Sequence, residues 1–464
     1  MISDWKYNSL LFTVVLLICF SISALVRYQQ FDTWEKTPAT FFVGERPMMT
    51  TLDAPYWLRW AREYNEGTFG KNDRLRGYPE STDRFKEKNV KITILPQKFT
   101  DVKTSTNSSS SSSETKAIRY NEVPLLSFLI AKLVPFFNYN YYLTGTLLVP
   151  ILASLFILPL SIYFFRIGIP LSGLLGGLIG TFASGYYMRS SIGRIDTDML
   201  NLFFPALASL LILLASGAKS DRNVLLYSMG SGLSMFLFNW WYNRPGFTLV
   251  YFMVLVFILF LQQIRLRTKL LGVLLFILCS QPGIFLGGTR SVEGFLGNYF
   301  VIEETSSYKE SDKGSSPANF PNVLKTISEA DTVDFDAVFQ RILSNKIFDW
   351  AGFLAFFVLM FLRWRLLLPL APMLALGLLS FQSANRFIMF LAPFIGIGLG
   401  WLLQLSIETI FIFLAKYFQH RKGNEGIKAN NIIEKERIEI KGTSWTSFYS
   451  LLKGSHIEPV TKDI

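Results

Sequence analysis

Residues 193–200 read GRIDTDML, placing Asp196 and Asp198 one residue apart just before the apolar run NLFFPALASLLILLAS. Acids are costly beside hydrocarbon, so a pair kept there needs an account. One aspartate at a helix start is commonly an N-cap, favoured by the helix dipole. A cap needs a single acid, which leaves the second for another task. Asp53, in TTLDAPYWLRWAREYNEG, and Glu329, in TISEADTVDF, are the other acids in informative settings. Asp53 also suits a cap, with Pro55 in the first turn. Glu329 shares its segment with Asp331, Asp334 and Asp336, as solvated surface does. Taken together, such carboxylates and a substrate's phosphates are the oxygen ligands that Mg²⁺ or Mn²⁺ requires.

Arginines sharpen that chemistry. Arg189 and Arg194 flank the acids in YYMRSSIGRIDTD, Arg244 follows NWWYN, and Arg386 stands in FQSANRFIMFLAPF. Guanidinium binds phosphate oxygens bidentately and keeps its charge in any surroundings. Each arginine alone also fits headgroup contact or an internal salt bridge, and the tryptophans of NWWYNRPG fit an interfacial belt.

The elements that must position these groups are apolar. Half of the 464 residues are hydrophobic and 43 are Phe. Several nearly uncharged windows reach the ~20 residues needed to cross a bilayer core. Spans are expected near 9–27, 141–165, 170–188, 199–217, 223–241, 246–263, 269–288, 347–362, 366–381 and 387–415. The first lacks a small-x-small cleavage site and is read as a retained helix rather than a signal peptide. The fold class is therefore an all-α polytopic membrane protein of about ten spans. The chain holds two cysteines, both in apolar runs, and two histidines, His420 and His456. A disulfide framework, histidine-ligated zinc and histidine-based triads are poor fits, and any metal falls to carboxylates.

Topology then sorts the acids. Short loops carrying Arg166, Lys219, Arg222, Arg265, Arg267, Lys269, Arg363, Arg365, Lys416, Arg421 and Lys422 share one side, which the positive-inside rule makes cytoplasmic. Two long external loops follow, 28–122 and 289–346, the first with the low-complexity stretch NSSSSSSE. It ends in NEVPLLSFLIAKLVPFF, expected as a helix on the membrane surface or docked on the bundle. Asp53, Asp196, Asp198 and Glu329 all fall outside, as do Arg189, Arg194, Arg244 and Arg386. Residues 1–416 form the transmembrane unit and 417–464 a polar cytoplasmic tail. There is no clear internal repeat.

With these motifs in order, the chain resembles the catalytic subunit of the oligosaccharyltransferase family, of the single-subunit bacterial and archaeal type, membrane glycosyltransferases with a GT-C helix bundle. TTLDAPYWLRWAREYNEG, DTDMLNLFFP, TISEADTVDF (matching T-I-x-E) and QSANRFIMFLAPF carry the resemblance, which covers most of 1–415. It implies transfer of an oligosaccharide from a polyprenyl-pyrophosphate carrier to protein asparagine. It makes Asp53, Asp196, Asp198 and Glu329 the ligands of Mn²⁺ or Mg²⁺, with Asp53 and Glu329 also catalytic on the acceptor amide. Arg386, Arg189 and Arg194 become pyrophosphate contacts. The implied setting is the plasma (inner) membrane, with the site on the periplasmic, extracytoplasmic face. Partners are the lipid-linked oligosaccharide and the acceptor protein; no nucleic acid is expected.

The sequence also departs from the family. It contains no W-W-D-Y-G, the motif that reads the Ser/Thr of the acceptor sequon, and fewer spans. This shortened pattern points to a separate sequon-reading subunit or a differently read acceptor. Two other readings stand beside the first: a GT-C transferase using a polyprenyl-monophosphate sugar on a hydroxyl or lipid acceptor, and an inactive or non-enzymatic relative.

Overall fold

The computed structural model describes residues 9–69, 123–286, 335–381 and 385–425. The architecture is helical. The principal helices are α1 (Ser9–Lys36), α2 (Ala54–Asn65), α3 (Leu125–Leu133), α4 (Tyr141–Ser154), α5 (Ile157–Arg166), α6 (Pro170–Phe182) and α7 (Phe203–Gly217). They continue as α8 (Asp221–Trp241), α9 (Pro245–Leu261), α10 (Leu266–Cys279), α11 (Phe335–Gln340), α12 (Lys346–Leu362), α13 (Ala371–Leu378) and α14 (Ile388–Glu425). The described β structure is a two-residue hairpin, Phe42–Val43 against Arg46–Pro47.

Local sequence explains the starts and breaks. Asn140 Oδ1 accepts the Leu143 amide at 3.0 Å to open α4, and Asn345 Oδ1 accepts the Ile347 amide at 3.1 Å to open α12. Pro170 and Pro245 occupy first turns, where a missing N–H costs nothing. The expected span 141–165 is interrupted between Ser154 and Ile157. Pro159 lies four residues beyond Leu155 and cannot donate to its carbonyl, which loosens that turn.

Among the described residues, five helical stretches are long and apolar enough to cross a membrane: Ser9–Lys36, Tyr141–Arg166, Thr197–Gly217, Trp364–Phe381 and Ile388–Leu414. Pro170–Phe182 and Pro245–Leu261 are apolar but shorter. A helix stands at the place of every expected span, but several are too short to cross unaided. Two helices run past the expected spans: α1 extends to Lys36, beyond residue 28, and α14 to Glu425, although its apolar stretch ends at Leu414. Within the NEVPLLSFLIAKLVPFF segment, Leu125–Leu133 form α3, and this helix is docked: Leu126 and Ile130 are fully buried.

Helices α6 and α14 approach backbone to backbone. A Cβ on Gly396 would stand 2.7 Å from the Leu175 carbonyl oxygen, so only glycine permits this contact. Arg27 of α1 is also fully buried. Its Nε donates to the Ser190 carbonyl at 2.8 Å, and its Nη2 to the Thr181 carbonyl at 3.0 Å and Ser190 Oγ at 2.8 Å. Its Nη1 donates to Thr181 Oγ1 at 3.0 Å, and the guanidinium lies 5.0 Å from the Tyr187 ring centre. One side chain thus joins α1, the end of α6 and the segment that leads to Arg189 and the paired aspartates.

Candidate functional site

The D-T-D segment is anchored on several sides. Asp196 precedes a 3₁₀ turn, Thr197–Leu200, and its Oδ1 accepts the Thr197 amide at 2.6 Å. The Trp241 indole donates to the Thr197 carbonyl at 2.6 Å, fixing the turn to the end of α8. Tyr186 Oη stands 2.8 Å from the Met199 carbonyl and 2.9 Å from that of Ala153. Ahead of the turn, the Thr50 amide donates to the Gly193 carbonyl at 3.0 Å. That bond ties the loop to the strand of chain that delivers Asp53.

Gly193 makes this crossing possible. Its φ is +76°, and a Cβ there would lie 2.6 Å from Trp34 Cη2 and 2.8 Å from the Met48 carbonyl oxygen. Gly193→Ala is expected to destabilise the protein by roughly 2–4 kcal/mol, through left-handed strain plus overlap. A thermal-unfolding midpoint equal to that of the unaltered protein would contradict it.

Asp53 comes from a different direction. It precedes α2, yet its carboxylate makes no cap hydrogen bond. Helix α2 rests on α3, with Ser127 Oγ donating to the Trp57 carbonyl at 2.9 Å and Asn65 Nδ2 to the Ala131 carbonyl at 2.9 Å. Helix α3 in turn meets α8, where the Trp240 indole donates to the Val123 carbonyl at 2.8 Å.

These supports bring the acids to a single cavity of about 440 Å³, within the range of small-molecule sites. Asp53, Asp196, Asp198, Arg189 and Arg386 line it, joined by Asn201, Arg244, Tyr56 and Trp57. Arg189 Nη1 lies 2.8 Å from Asp198 Oδ2, and both side chains are nearly excluded from solvent. Asn201 Nδ2 donates to the other oxygen, Asp198 Oδ1, at 3.1 Å. Arg386 sits in the turn Asn385–Phe387 ahead of α14, its guanidinium 5.5 Å from the Phe387 ring centre.

The cap reading holds for Asp196 and leaves Asp53 and Asp198 unexplained by capping. Arg194 is not among the cavity-lining residues, though its charge acts on Asp196. Glu329 lies outside the described residues. Arg244, one of the four external arginines singled out in the sequence, also lines the cavity, as does Asn201, which was not expected there. The signal for Arg244 was present, an arginine on an external short loop. The Asn201 signal was weak, a single amide three residues after Asp198.

Burial, then the charge of Asp198 and after it that of Asp53, push the Asp196 carboxyl up to about 6, against the Thr197 amide and Arg194. Carboxylates that repel one another in a half-buried site are a donor set that a hard divalent cation relieves. The residues fit such an ion in chemistry. Among those described, however, no group of three or more His, Cys, Asp or Glu is arranged to hold one.

The same arrangement of helices occurs in a solved protein. The apo oligosaccharyltransferase of Archaeoglobus fulgidus superposes with a TM-score of 0.50 at 13% identity, over 98% of this chain and 55% of that one. The fold is that of a polytopic helical membrane protein with a GT-C-like helix bundle. The family model for oligosaccharyl transferase STT3, N-terminal, matches residues 121–424. The chain belongs to the oligosaccharyl transferase STT3 family. Two curated relatives are the undecaprenyl-diphosphooligosaccharide–protein glycotransferases of Campylobacter jejuni strains RM1221 and NCTC 11168. Each is 24% identical over 411 residues, covering 78% of this chain and 52% of the relative. The chain thus spans about half the length of the curated relatives it matches.

Proposed function

We propose that this chain carries the transmembrane catalytic site of an oligosaccharyltransferase, moving an oligosaccharide from a polyprenyl-pyrophosphate carrier to the side-chain nitrogen of asparagine in an acceptor protein. The observation that carries the reading is the convergence of Asp53, Asp196, Asp198, Arg189 and Arg386, from three distant stretches of a family member, on one cavity. Names of the Campylobacter relatives supply the donor class, a diphospho-oligosaccharide, and a protein acceptor. The basic short loops, expected at the opposite end of the spans, support a site on the external face of the membrane.

In the reaction the bond from the sugar's anomeric carbon to the pyrophosphate oxygen breaks and a carbon–nitrogen bond forms. The pyrophosphate leaves with the electron pair, and the amide nitrogen gives up a proton to a carboxylate oxygen of Asp53. Amide nitrogen is a poor nucleophile because its lone pair is delocalised into the carbonyl. Asp53, aided by Glu329, accepts the amide N–H hydrogens, holding the nitrogen in line and weakening that conjugation. Arg386 pairs with the pyrophosphate oxygens. Arg189 is engaged by Asp198 and serves to aim that carboxylate. Asp196 and Asp198, with Asp53 and Glu329, would hold Mn²⁺ or Mg²⁺, whose chemistry there is neutralising charge on the leaving group.

The test is the linkage. Purified chain supplied with lipid-pyrophosphate oligosaccharide, an asparagine peptide and Mn²⁺ is expected to yield a glycan on the asparagine amide by tandem mass spectrometry. A glycan found only on a hydroxyl or a lipid would overturn the assignment.

A further inference from the structure

Asn201 has two polar ends in different situations. The residue is 3% exposed and lines the cavity. Its Nδ2 donates to Asp198 Oδ1 at 3.1 Å. A carboxylate only accepts, so the amide must turn its nitrogen that way, and the orientation of the group is fixed. Its Oδ1 is buried and meets no hydrogen-bond donor among the described residues. A buried acceptor left in that state costs about 1–3 kcal/mol, and a bound partner removes the cost.

The partner is identified by the charges around it. Asp53, Asp196 and Asp198 face the same cavity, yet among the described residues no three acidic groups are arranged to hold an ion together. A further acid would add to the repulsion already felt at Asp196. An amide carbonyl is a hard oxygen ligand of the kind Mg²⁺ and Mn²⁺ accept, and it adds no charge. Spacing helps, because Asp198 and Asn201, three residues apart at the start of a helix, lie on one face.

We propose that the Asn201 side-chain oxygen is an uncharged ligand of the divalent-cation site, while its nitrogen steadies Asp198. This rests on the cation reading under Proposed function.

The experiment is a Mn²⁺ titration of the purified full-length chain in lipid nanodiscs, following the electron paramagnetic resonance signal of free Mn²⁺. Two variants are compared with the unaltered protein. Asn201→Leu removes both the oxygen and the N–H donors. Asn201→Asp keeps an oxygen and removes the donors. The Leu variant is expected to bind Mn²⁺ about tenfold or more weaker, and the Asp variant at least as tightly as the unaltered protein. Unchanged affinity in the Leu variant overturns the assignment. So does an equal loss in both, which is the result if Asn201 acts only by donating to Asp198 or if substitution merely disturbs folding. Absence of Mn²⁺ binding in the unaltered protein is distinguishable from these, and removes the cation reading itself.

Discussion

Asp53→Ala is expected to lower the turnover number for glycan transfer by about 10²–10⁴-fold while leaving the protein inserted and folded. The two halves of that statement have separate grounds. Stability is spared because the Asp53 carboxylate makes no cap hydrogen bond, and the residue is exposed at the start of α2. Its backbone carbonyl, which accepts the Tyr56 amide at 3.1 Å, is retained in the variant. A surface change of this kind stays within about 0.5 kcal/mol. Had the side chain been a working cap, its loss would have cost about 1 kcal/mol and moved the unfolding midpoint. Activity falls because no other described acid approaches the cavity from the α2 side. Glu329→Ala is expected to lower turnover likewise, and the double variant to be little worse than either single one, if the two carboxylates act on one amide as proposed. Initial rates on a fluorescent asparagine peptide, alongside thermal unfolding, decide it. Full transfer by Asp53→Ala would remove Asp53 from the site; a melting shift with proportionate loss of activity would return it to the role of cap.

What could be read from sequence was governed by parity and charge. Counting spans puts Asp53, Asp196, Asp198, Arg189 and Arg386 on one side, and an error of a residue or two at a span end does not change that side. Residue type then restricts the chemistry to oxygen ligands and phosphate contacts. Partner choice was not legible. Arg189, Arg194 and Arg386 are equivalent arginines in the sequence, but Arg189 is committed to Asp198, Arg386 faces the cavity, and Arg194 is outside the lining. Which one reaches which oxygen depends on the turn Thr197–Leu200 and on the α1 contacts, features that hydropathy does not encode. Helix continuity was illegible for a similar reason. Tyr141–Arg166 is long and apolar enough to cross as one span, but hydropathy is blind to the donor that Pro159 lacks and so to the break between Ser154 and Ile157.

Arg27 is the clearest omission, and it sets a large expected effect on both stability and activity. In the sequence it ends the first expected span, 9–27, beside the external loop, and reads as a flanking charge seeking water. In the structure it is fully buried and its guanidinium binds Ser190 and Thr181 rather than an acid. Arg27→Met releases the desolvation cost of the cation, a gain that often makes replacement of buried charge neutral. Here the acceptors stay behind. The Ser190 and Thr181 carbonyls would each lose a charged donor in a space closed to water, at about 1–3 kcal/mol apiece. Two orphaned carbonyls outweigh the recovered desolvation, and the expected net loss is roughly 3 kcal/mol. Ser190 is the neighbour of Arg189, so the same change loosens the arm that aims Asp198, and activity should fall with stability. Arg27→Lys is the informative control. Its ammonium is a compact charge on a flexible stem and lacks the rigid fork that spans two carbonyls, so it should recover less than half of the lost stability. An Arg27→Met protein that melts with the unaltered one would show that α6 and the Ser190 segment are held by packing alone.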